Sequence, residues 1–174
     1  MRRFFDTNVL VYSRDLGEPS KRAMARALIA DAIEEEGFVV STQVLLEFYA
    51  TSVRRRLLGA PQALDLVRFW AAHDAVPQTP DLVTRGLELH QAHSLSLWDG
   101  LIVQAALDAR CDVLLSEDLQ HGRRFGSLEV VNPFHAAAVH DGGRKPLTEL
   151  AAPAKPRRNA QSRGRSRSSS PPRV

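Results

Sequence analysis

Four isolated acidic residues each lie next to an apolar run of the chain. Asp6 follows RFF, Glu47 is the one charge in VLLEFY, Asp99 interrupts LWDGLIV, and Asp118 follows DVLLSE. A carboxylate that is buried without a partner is costly, so it must be protonated, paired with a cation or bound to a metal. Carboxylate ligands without histidine or cysteine favour Mg²⁺ or Mn²⁺. Such an ion activates water for the hydrolysis of a phosphodiester bond.

Each acid also has an ordinary structural explanation. Asp6, Thr7 and Asn8 are all of residue types that favour the N-cap position of a helix. If Asp6 binds a metal, we expect Thr7 or Asn8 to provide the cap. Ser96 and Asp99 fit the S-x-x-D form of a capping box, and Asp118 is suited to closing a turn. Glu47 is different, because apolar residues surround it in a predicted helix. We therefore expect Glu47 to be largely buried and to need a cation.

The elements that must position these acids alternate between strand and helix. RFF, FVVS, DVLLS and EVVN are typical of strands buried on both faces, and AVPQ around Val76 is a further candidate strand. A helix is also predicted from about Pro80 to His93. Three other segments have apolar residues at helical spacing: Ala25, Leu28, Ile29, Ala32 and Ile33; Ala63, Leu66, Val67, Trp70 and Ala71; and Trp98, Leu101, Ile102, Ala105 and Ala106.

This alternation predicts an α/β fold, a three-layer α/β/α sandwich with a mostly parallel central sheet. Ligands of open α/β sheets bind beyond the carboxyl ends of the strands, which is where the four acids are expected to converge. At an effective dielectric constant of about 20, each close pair of carboxylates costs a few kcal/mol. A divalent cation removes that conflict. The sequence leaves open whether one or two ions act.

Four motifs, FFDTNVLVY, QVLLEFY, LSLWDGLIVQAA and LLSEDLQHG, occur in this order within residues 3–134. In order and spacing they resemble the PIN-domain nucleases, in particular the VapC-type toxins of bacterial toxin-antitoxin pairs. The resemblance implies a Mg²⁺- or Mn²⁺-dependent endoribonuclease, usually a homodimer, inhibited by a small antitoxin whose basic segment enters the acidic cleft. It places the catalytic and metal-binding carboxylates at Asp6, Glu47, Asp99 and Asp118, with Asn8 and Ser116 beside them. Spacing does not decide between Glu117 and Asp118 as the ligand.

Charge is divided unevenly along the chain. Residues 1–143 have a net charge of −5 and residues 144–174 one of +8. An acidic body attracts Mg²⁺ and a basic antitoxin but repels RNA, so local cations must hold the substrate. The candidates for RNA binding are Arg54, Arg55, Arg123 and Arg124, although a solvated helix end or loop explains them equally well.

We divide the chain into a PIN-like nuclease domain, residues 1–135, and an Arg/Ser/Pro-rich basic tail, residues 136–174. The tail has no apolar periodicity and is expected to be disordered. It is either an RNA-contacting arm or a solubilising terminus. An apolar dimer face is expected on the helices around Leu57, Leu64 and Trp70.

The single cysteine, Cys111, excludes an internal disulfide and a CxxC motif, and no stretch approaches the roughly 20 apolar residues of a membrane helix. We therefore expect a cytoplasmic protein. Two other functions remain open from the sequence. One is a PIN nuclease of RNA processing or turnover without a toxin role. The other is a catalytically inactive RNA-binding module whose acids only cap helices.

Overall fold

A mostly parallel sheet lies at the centre of the computed structural model, which describes residues 1–135. Its strands are β1 (Arg3–Phe5), β2 (Phe38–Ser41), β3 (Asp74–Val76), β4 (Val113–Leu115), β5 (Arg124–Phe125) and β6 (Leu128–Val131). They are ordered β3-β2-β1-β4-β6-β5, and every neighbouring pair is parallel except β5 and β6. The predicted basic tail lies outside the described residues.

The helices of the described part connect these strands. They are α1 (Thr7–Tyr12), α2 (Pro19–Glu34), α3 (Thr42–Arg54), α4 (Ala60–Ala71), α5 (Pro80–His93) and α6 (Leu97–Asp108). Helices α2, α3 and α6 contact β2, α5 packs on α6, and α3 packs on α4. The predicted α/β fold, a mostly parallel central sheet flanked by helices, is confirmed. No helix among residues 1–135 is long and apolar enough to cross a membrane.

The central strand β1 determines where the acids lie. It pairs with β2 on one side and β4 on the other, and Phe4 and Phe5 are completely buried. The Asp6 backbone N–H donates to the Leu115 carbonyl at 3.0 Å, which continues the ladder one residue past the strand. Parallel pairing thus brings Asp6 and Ser116 to the same edge of the sheet.

Two glycines fix how α6 approaches its neighbour α5. A Cβ atom added at Gly100 would lie 2.5 Å from the Gly86 carbonyl oxygen, and one added at Gly86 would lie 2.7 Å from Leu101 Cδ2. No side chain fits at either position without displacing a backbone or a core side chain. The glycines therefore set the position of the first turn of α6, which carries Asp99.

Two tryptophans do not lie where the sequence placed them. Trp98 was expected on the buried stripe of α6, yet 59% of its surface is exposed, because the buried residues of this helix begin at Gly100. Trp70 was expected at a dimer face, but it is buried and its ring lies 4.7 Å from that of Phe48. The dimer face predicted around Trp70 is therefore wrong at that residue.

One further strand was not expected. A solvated loop was the alternative explanation for Arg124, but this residue begins the short strand β5, which turns at Gly126 (φ 60°) and pairs antiparallel with β6. A two-residue strand lacks the periodicity that would reveal it in the sequence.

Arg3 is a fully buried cation that the sequence analysis treated as part of an apolar strand. Its guanidinium donates to Asp31 Oδ2 at 2.8 Å and to Glu35 Oε2 at 2.9 Å, both contributed by the end of α2. A buried charge that loses its partners is strongly destabilising, whereas an exposed pair contributes little. This pair therefore anchors α2 to the central strand.

We predict that Arg3→Ala lowers the free energy of unfolding by about 2–5 kcal/mol, chiefly because it leaves a cavity. The two carboxylates that it pairs are partly exposed and keep part of their hydration. Arg68→Ala is the matched control, since Arg68 pairs with Asp65 on the surface of α4, and should cost less than about 1 kcal/mol. Urea unfolding followed by circular dichroism measures both. Equal losses for the two variants would contradict the anchoring role of Arg3.

Candidate active site

A cleft of about 520 Å³ opens at the carboxyl ends of the central strands, and the four predicted acids all line it. We call it the acidic cleft. Around α1 its lining is Asp6, Thr7, Asn8, Val11 and Tyr12; from α3 and its end, Glu47, Thr51 and Arg55; around the start of α6, Ser96, Trp98, Asp99 and Ile102; and after β4, Glu117 and Asp118.

Asp6 is the buried centre of this cleft. Its carboxylate accepts hydrogen bonds from the Ser116 hydroxyl at 2.6 Å, the Thr7 backbone N–H at 2.6 Å and the Asn8 side-chain amide at 3.0 Å. Asp6 is also the N-cap of α1. The expectation that Thr7 and Asn8 would take over the cap is therefore wrong. A carboxylate that caps a helix with one oxygen can still direct the other into a site.

The pKa of Asp6 is raised to about 6, chiefly because burial penalises the charged form and further because Asp118 and Glu47 are negative. Hydrogen bonds from Ser116 and Thr7 offset part of this rise. The ion pairs formed among residues 1–135 include none of the four acids. Asp6 is thus a buried carboxylate stabilised by neutral donors and lacking a positive neighbour in the described part.

Glu47 is half-buried rather than enclosed by apolar groups as expected. Leu46, the residue before it, is 69% exposed, so α3 has one open face. The Glu47 carboxylate accepts from the Thr7 hydroxyl at 2.8 Å and from the Gln43 amide at 3.0 Å. Gln43 lies one helical turn earlier, a spacing that the sequence could have revealed, whereas the contact with Thr7 depends on the packing of α1 against α3.

Asp99 and Asp118 complete the carboxylate set at the mouth of the cleft. The Ser96 hydroxyl caps α6 by accepting from the Asp99 N–H at 3.0 Å, so the predicted cap is real, while the Asp99 side chain lines the cleft. Asp118 is exposed and accepts from the Asn8 amide at 3.1 Å. Asn8 therefore bridges Asp6 and Asp118, and the two carboxylates lie on either side of one amide.

Ser116 lies beneath the cleft and supports it from the core. This buried hydroxyl donates to Asp6 and accepts from the backbone N–H groups of Asp118, at 3.2 Å, and Leu119, at 3.4 Å. Ser116 thus closes the turn after β4, a structural role for which Asp118 was the candidate from the sequence. The predicted positions of Asn8 and Ser116 next to the acids agree with the structure.

Glu117 and Asp118 are placed differently, although both line the cleft. Lys21 forms an ion pair with Glu117 and a hydrogen bond with Tyr12 at 3.1 Å. Burial raises the pKa of Glu117, but the hydrogen bonds of Lys21 and Tyr12 outweigh it and hold that pKa below its ordinary value. Glu117 is thus already neutralised by a cation, which favours Asp118 as the residue available to a metal.

Of the four basic residues predicted to bind RNA, Arg55 lines the cleft. Its guanidinium donates to Asp15 Oδ2 at 2.8 Å, and Asp15 is buried. The other three do not line it. Arg54 ends α3, Arg123 donates to the His93 carbonyl and lies over Phe125, and Arg124 pairs with Glu129.

The donors of the cleft fit a hard divalent ion by chemistry. They are carboxylate, amide and hydroxyl oxygens, which Mg²⁺ and Mn²⁺ prefer, and one carboxylate is buried without a cation. Among residues 1–135, no three acidic, histidine or cysteine side chains are already gathered closely enough to hold an ion.

The sequence model of the PIN domain matches residues 3–124, which include all four acids. The chain belongs to the PIN domain family. The resemblance noted from the four motifs is thereby confirmed. No curated protein matches this PIN domain significantly.

Solved structures share the fold of this PIN domain. One is VapC20 of Mycobacterium tuberculosis, described as a toxin that cleaves the sarcin-ricin loop, with a TM-score of 0.56 and 20% identity over 67% of this chain and 91% of that one. Another is a toxin-antitoxin complex from Klebsiella pneumoniae, with a TM-score of 0.54 and 19% identity over 72% of this chain and 94% of that one. At these identities the likeness establishes the fold.

The raised pKa of Asp6 predicts how stability depends on pH without divalent ions. Below about pH 4 the Asp6 carboxyl is protonated in both the folded and the unfolded chain, so it carries no charge that burial could penalise. As the pH rises from about 4 to 6 the unfolded chain gives up the proton first, so the free energy of unfolding falls, by about 3 kcal/mol in total.

Asp6→Asn should therefore stabilise this PIN domain in EDTA at about pH 8 by up to about 3 kcal/mol, and the gain should vanish near pH 4. Glu88→Gln, on the exposed face of α5, removes the same charge away from the cleft and should change little. Thermal unfolding at both pH values measures the difference. A stability difference between Asp6→Asn and the wild type that is the same at both pH values would contradict the raised pKa.

Proposed function

We propose that this PIN domain is a Mg²⁺- or Mn²⁺-dependent endoribonuclease that hydrolyses RNA phosphodiester bonds and acts as the toxin of a toxin-antitoxin pair. The observation that carries the proposal is Asp6, a buried carboxylate without a cation that faces Glu47, Asp99 and Asp118 in one cleft. A helix-capping role alone does not explain why this carboxylate is buried. Three neutral groups already donate hydrogen bonds to Asp6, and its pKa is still raised.

In this proposal Asp6, Asp99 and Asp118 are the principal metal ligands. A bound ion supplies a water of lowered pKa and neutralises charge on the phosphate. Glu47 either completes the ligand set or orients the attacking water, and the hydroxyl of Thr7 holds it for that role. Asn8 and Ser116 fix the orientation of Asp6, as hydrogen-bonding partners of ligands do in metal sites.

Arg55 is our candidate for holding the RNA backbone in an otherwise acidic cleft. Glu47, Thr51 and Arg55 recur every four residues and line the cleft along one face of α3 and its end. Eight residues of helix span about 12 Å, so Arg55 lies far enough from Glu47 to contact a neighbouring phosphate rather than the one that is cut. Its pair with Asp15 directs the guanidinium while leaving other donors unused.

The antitoxin we propose is a small protein with a basic segment that competes for the carboxylates of the cleft. Supporting it are the net charge of −5 on residues 1–143 and the structural likeness to a toxin-antitoxin complex. A homodimer is also part of the proposal. On α4, Leu64 and Phe69 are exposed and offer apolar surface, whereas Trp70 is not available for that role.

Asp6→Asn and Asp99→Asn should each lower cleavage of RNA by about 100-fold or more, and excess EDTA should abolish it until Mg²⁺ or Mn²⁺ is restored. The matched control, Glu88→Gln, should keep the activity of the wild type. Cleavage is followed on labelled total RNA, with the ends sequenced to locate the cut.

Equal cleavage in EDTA, or full activity of Asp6→Asn, would contradict the metal-dependent mechanism. Binding of RNA without any cleavage by the wild type would leave the inactive RNA-binding module. Expression of the wild type in bacteria tests the toxin role separately. Arrest of growth that Asp6→Asn relieves is expected. Activity without any arrest would instead assign the chain to RNA processing or turnover.

The choice between Glu117 and Asp118 is tested by a pair of isosteric variants. Asp118→Asn should lower kcat/KM at least about 10-fold, since it removes a proposed ligand, while Glu117→Gln should lower it less than about threefold. Thermal unfolding checks that both variants remain folded. Loss of activity confined to a folded Glu117→Gln would reverse the assignment.

A further inference from the structure

Trp98 exposes its indole beside the candidate active site. Among the large apolar side chains that residues 1–135 expose, it is the one that lines the acidic cleft. The other tryptophan, Trp70, is buried and packs edge-on against Phe48. No ring contact, cation–π contact or hydrogen bond involves Trp98 within the described part. The exposed part of its surface thus packs against nothing among residues 1–135.

On this basis we propose that Trp98 is the base-stacking residue of the nuclease, and that it binds an unpaired nucleobase adjacent to the scissile phosphate. The inference rests on the proposed function. Trp98 directly precedes Asp99, so a base stacked on the indole belongs to a nucleotide next to the bond that is hydrolysed. Aromatic side chains recognise bases that are unstacked from a helix, and every base offers a face for this contact.

The charges around Trp98 suit a base better than a phosphate. Asp99 lies next to it, and Asp6 and Asp118 line the same cleft. A phosphate can approach these acids only through a bound cation, whereas an uncharged base can stack on the indole without one. Arg55 lies on the α3 side of the cleft and attracts the backbone. A cationic peptide, such as the basic segment of the proposed antitoxin, would also stack on an indole. Because Trp98 lines the same cleft as the four carboxylates proposed to cut RNA, an RNA strand that is being cleaved lies beside the indole, and a nucleobase is the occupant that we propose.

The test is a coupling experiment with a short single-stranded RNA that the wild type cleaves. Each nucleotide in turn is replaced by an abasic one, and kcat/KM is measured for the wild type and for Trp98→Leu. At one position beside the cut, removing the base should lower the kcat/KM of the wild type by about 5- to 100-fold. Trp98→Leu should show the same loss on the intact RNA and no further loss at that abasic position.

Two variants serve as controls for the role of the ring. Trp98→Phe keeps a stacking face and should stay within about threefold of the wild type on intact RNA. Leu97→Ala alters the neighbouring residue, which is 40% exposed and does not line the cleft, and should leave kcat/KM unchanged. Sedimentation of each variant reports its oligomeric state.

Additive losses from Trp98→Leu and from every abasic substitution would overturn the stacking role while the nuclease itself stands. The stacking role would also be overturned if Trp98→Leu changed the oligomeric state but not the cleavage of RNA, because the indole would then contact another protein chain. If the wild type cleaves no RNA, the proposed function fails and the stacking role fails with it. Coupling at one position, retained by Trp98→Phe, supports the inference.

Discussion

The burial of one carboxylate at the end of the central strand is the constraint on which the rest of this structure depends. Asp6 follows β1, which is paired on both sides, so it cannot move toward water without breaking the ladder to Leu115. Its hydrogen bonds come from neutral groups, and its pKa is raised. The fold thus keeps a carboxylate in a position where its charge lowers the stability of the folded chain. Such a position is usually functional rather than stabilising.

The surrounding elements bring other oxygen atoms to this carboxylate. Ser116 and Asn8 tie the turn after β4 to the start of α1, and through them Asp118 is held near Asp6. The close approach of Gly86 and Gly100 sets the first turn of α6. In each case a backbone or hydroxyl contact fixes a segment whose carboxylate remains free of a cation. Hydrogen bonds therefore hold the backbone of the cleft, while Asp6, Glu47, Asp99 and Asp118 have no ion pair within residues 1–135.

Much of this arrangement could be predicted from the sequence. Apolar runs and helical spacing identify the main strands and helices, and the rule for the carboxyl ends of strands brings the acids to one edge. Asp6 was understood only in part, because a residue can cap a helix and face a site at once. Contacts between elements were not predictable, as with Thr7 on Glu47 or Lys21 on Glu117. Arg3 and Trp98 were placed by apolar pattern alone, which does not distinguish a buried cation or an exposed ring from core.

The account centres on a divalent ion bound by carboxylates around Asp6, and calorimetric titration with Mn²⁺ tests it most directly. Carboxylates must lose their protons to bind a metal. Because the pKa of Asp6 is about 6, Mn²⁺ should bind the wild type with release of about half a proton near pH 6 and almost none near pH 8. Asp6→Asn should bind Mn²⁺ weakly. Absence of carboxylate-dependent Mn²⁺ binding at both pH values would contradict the account.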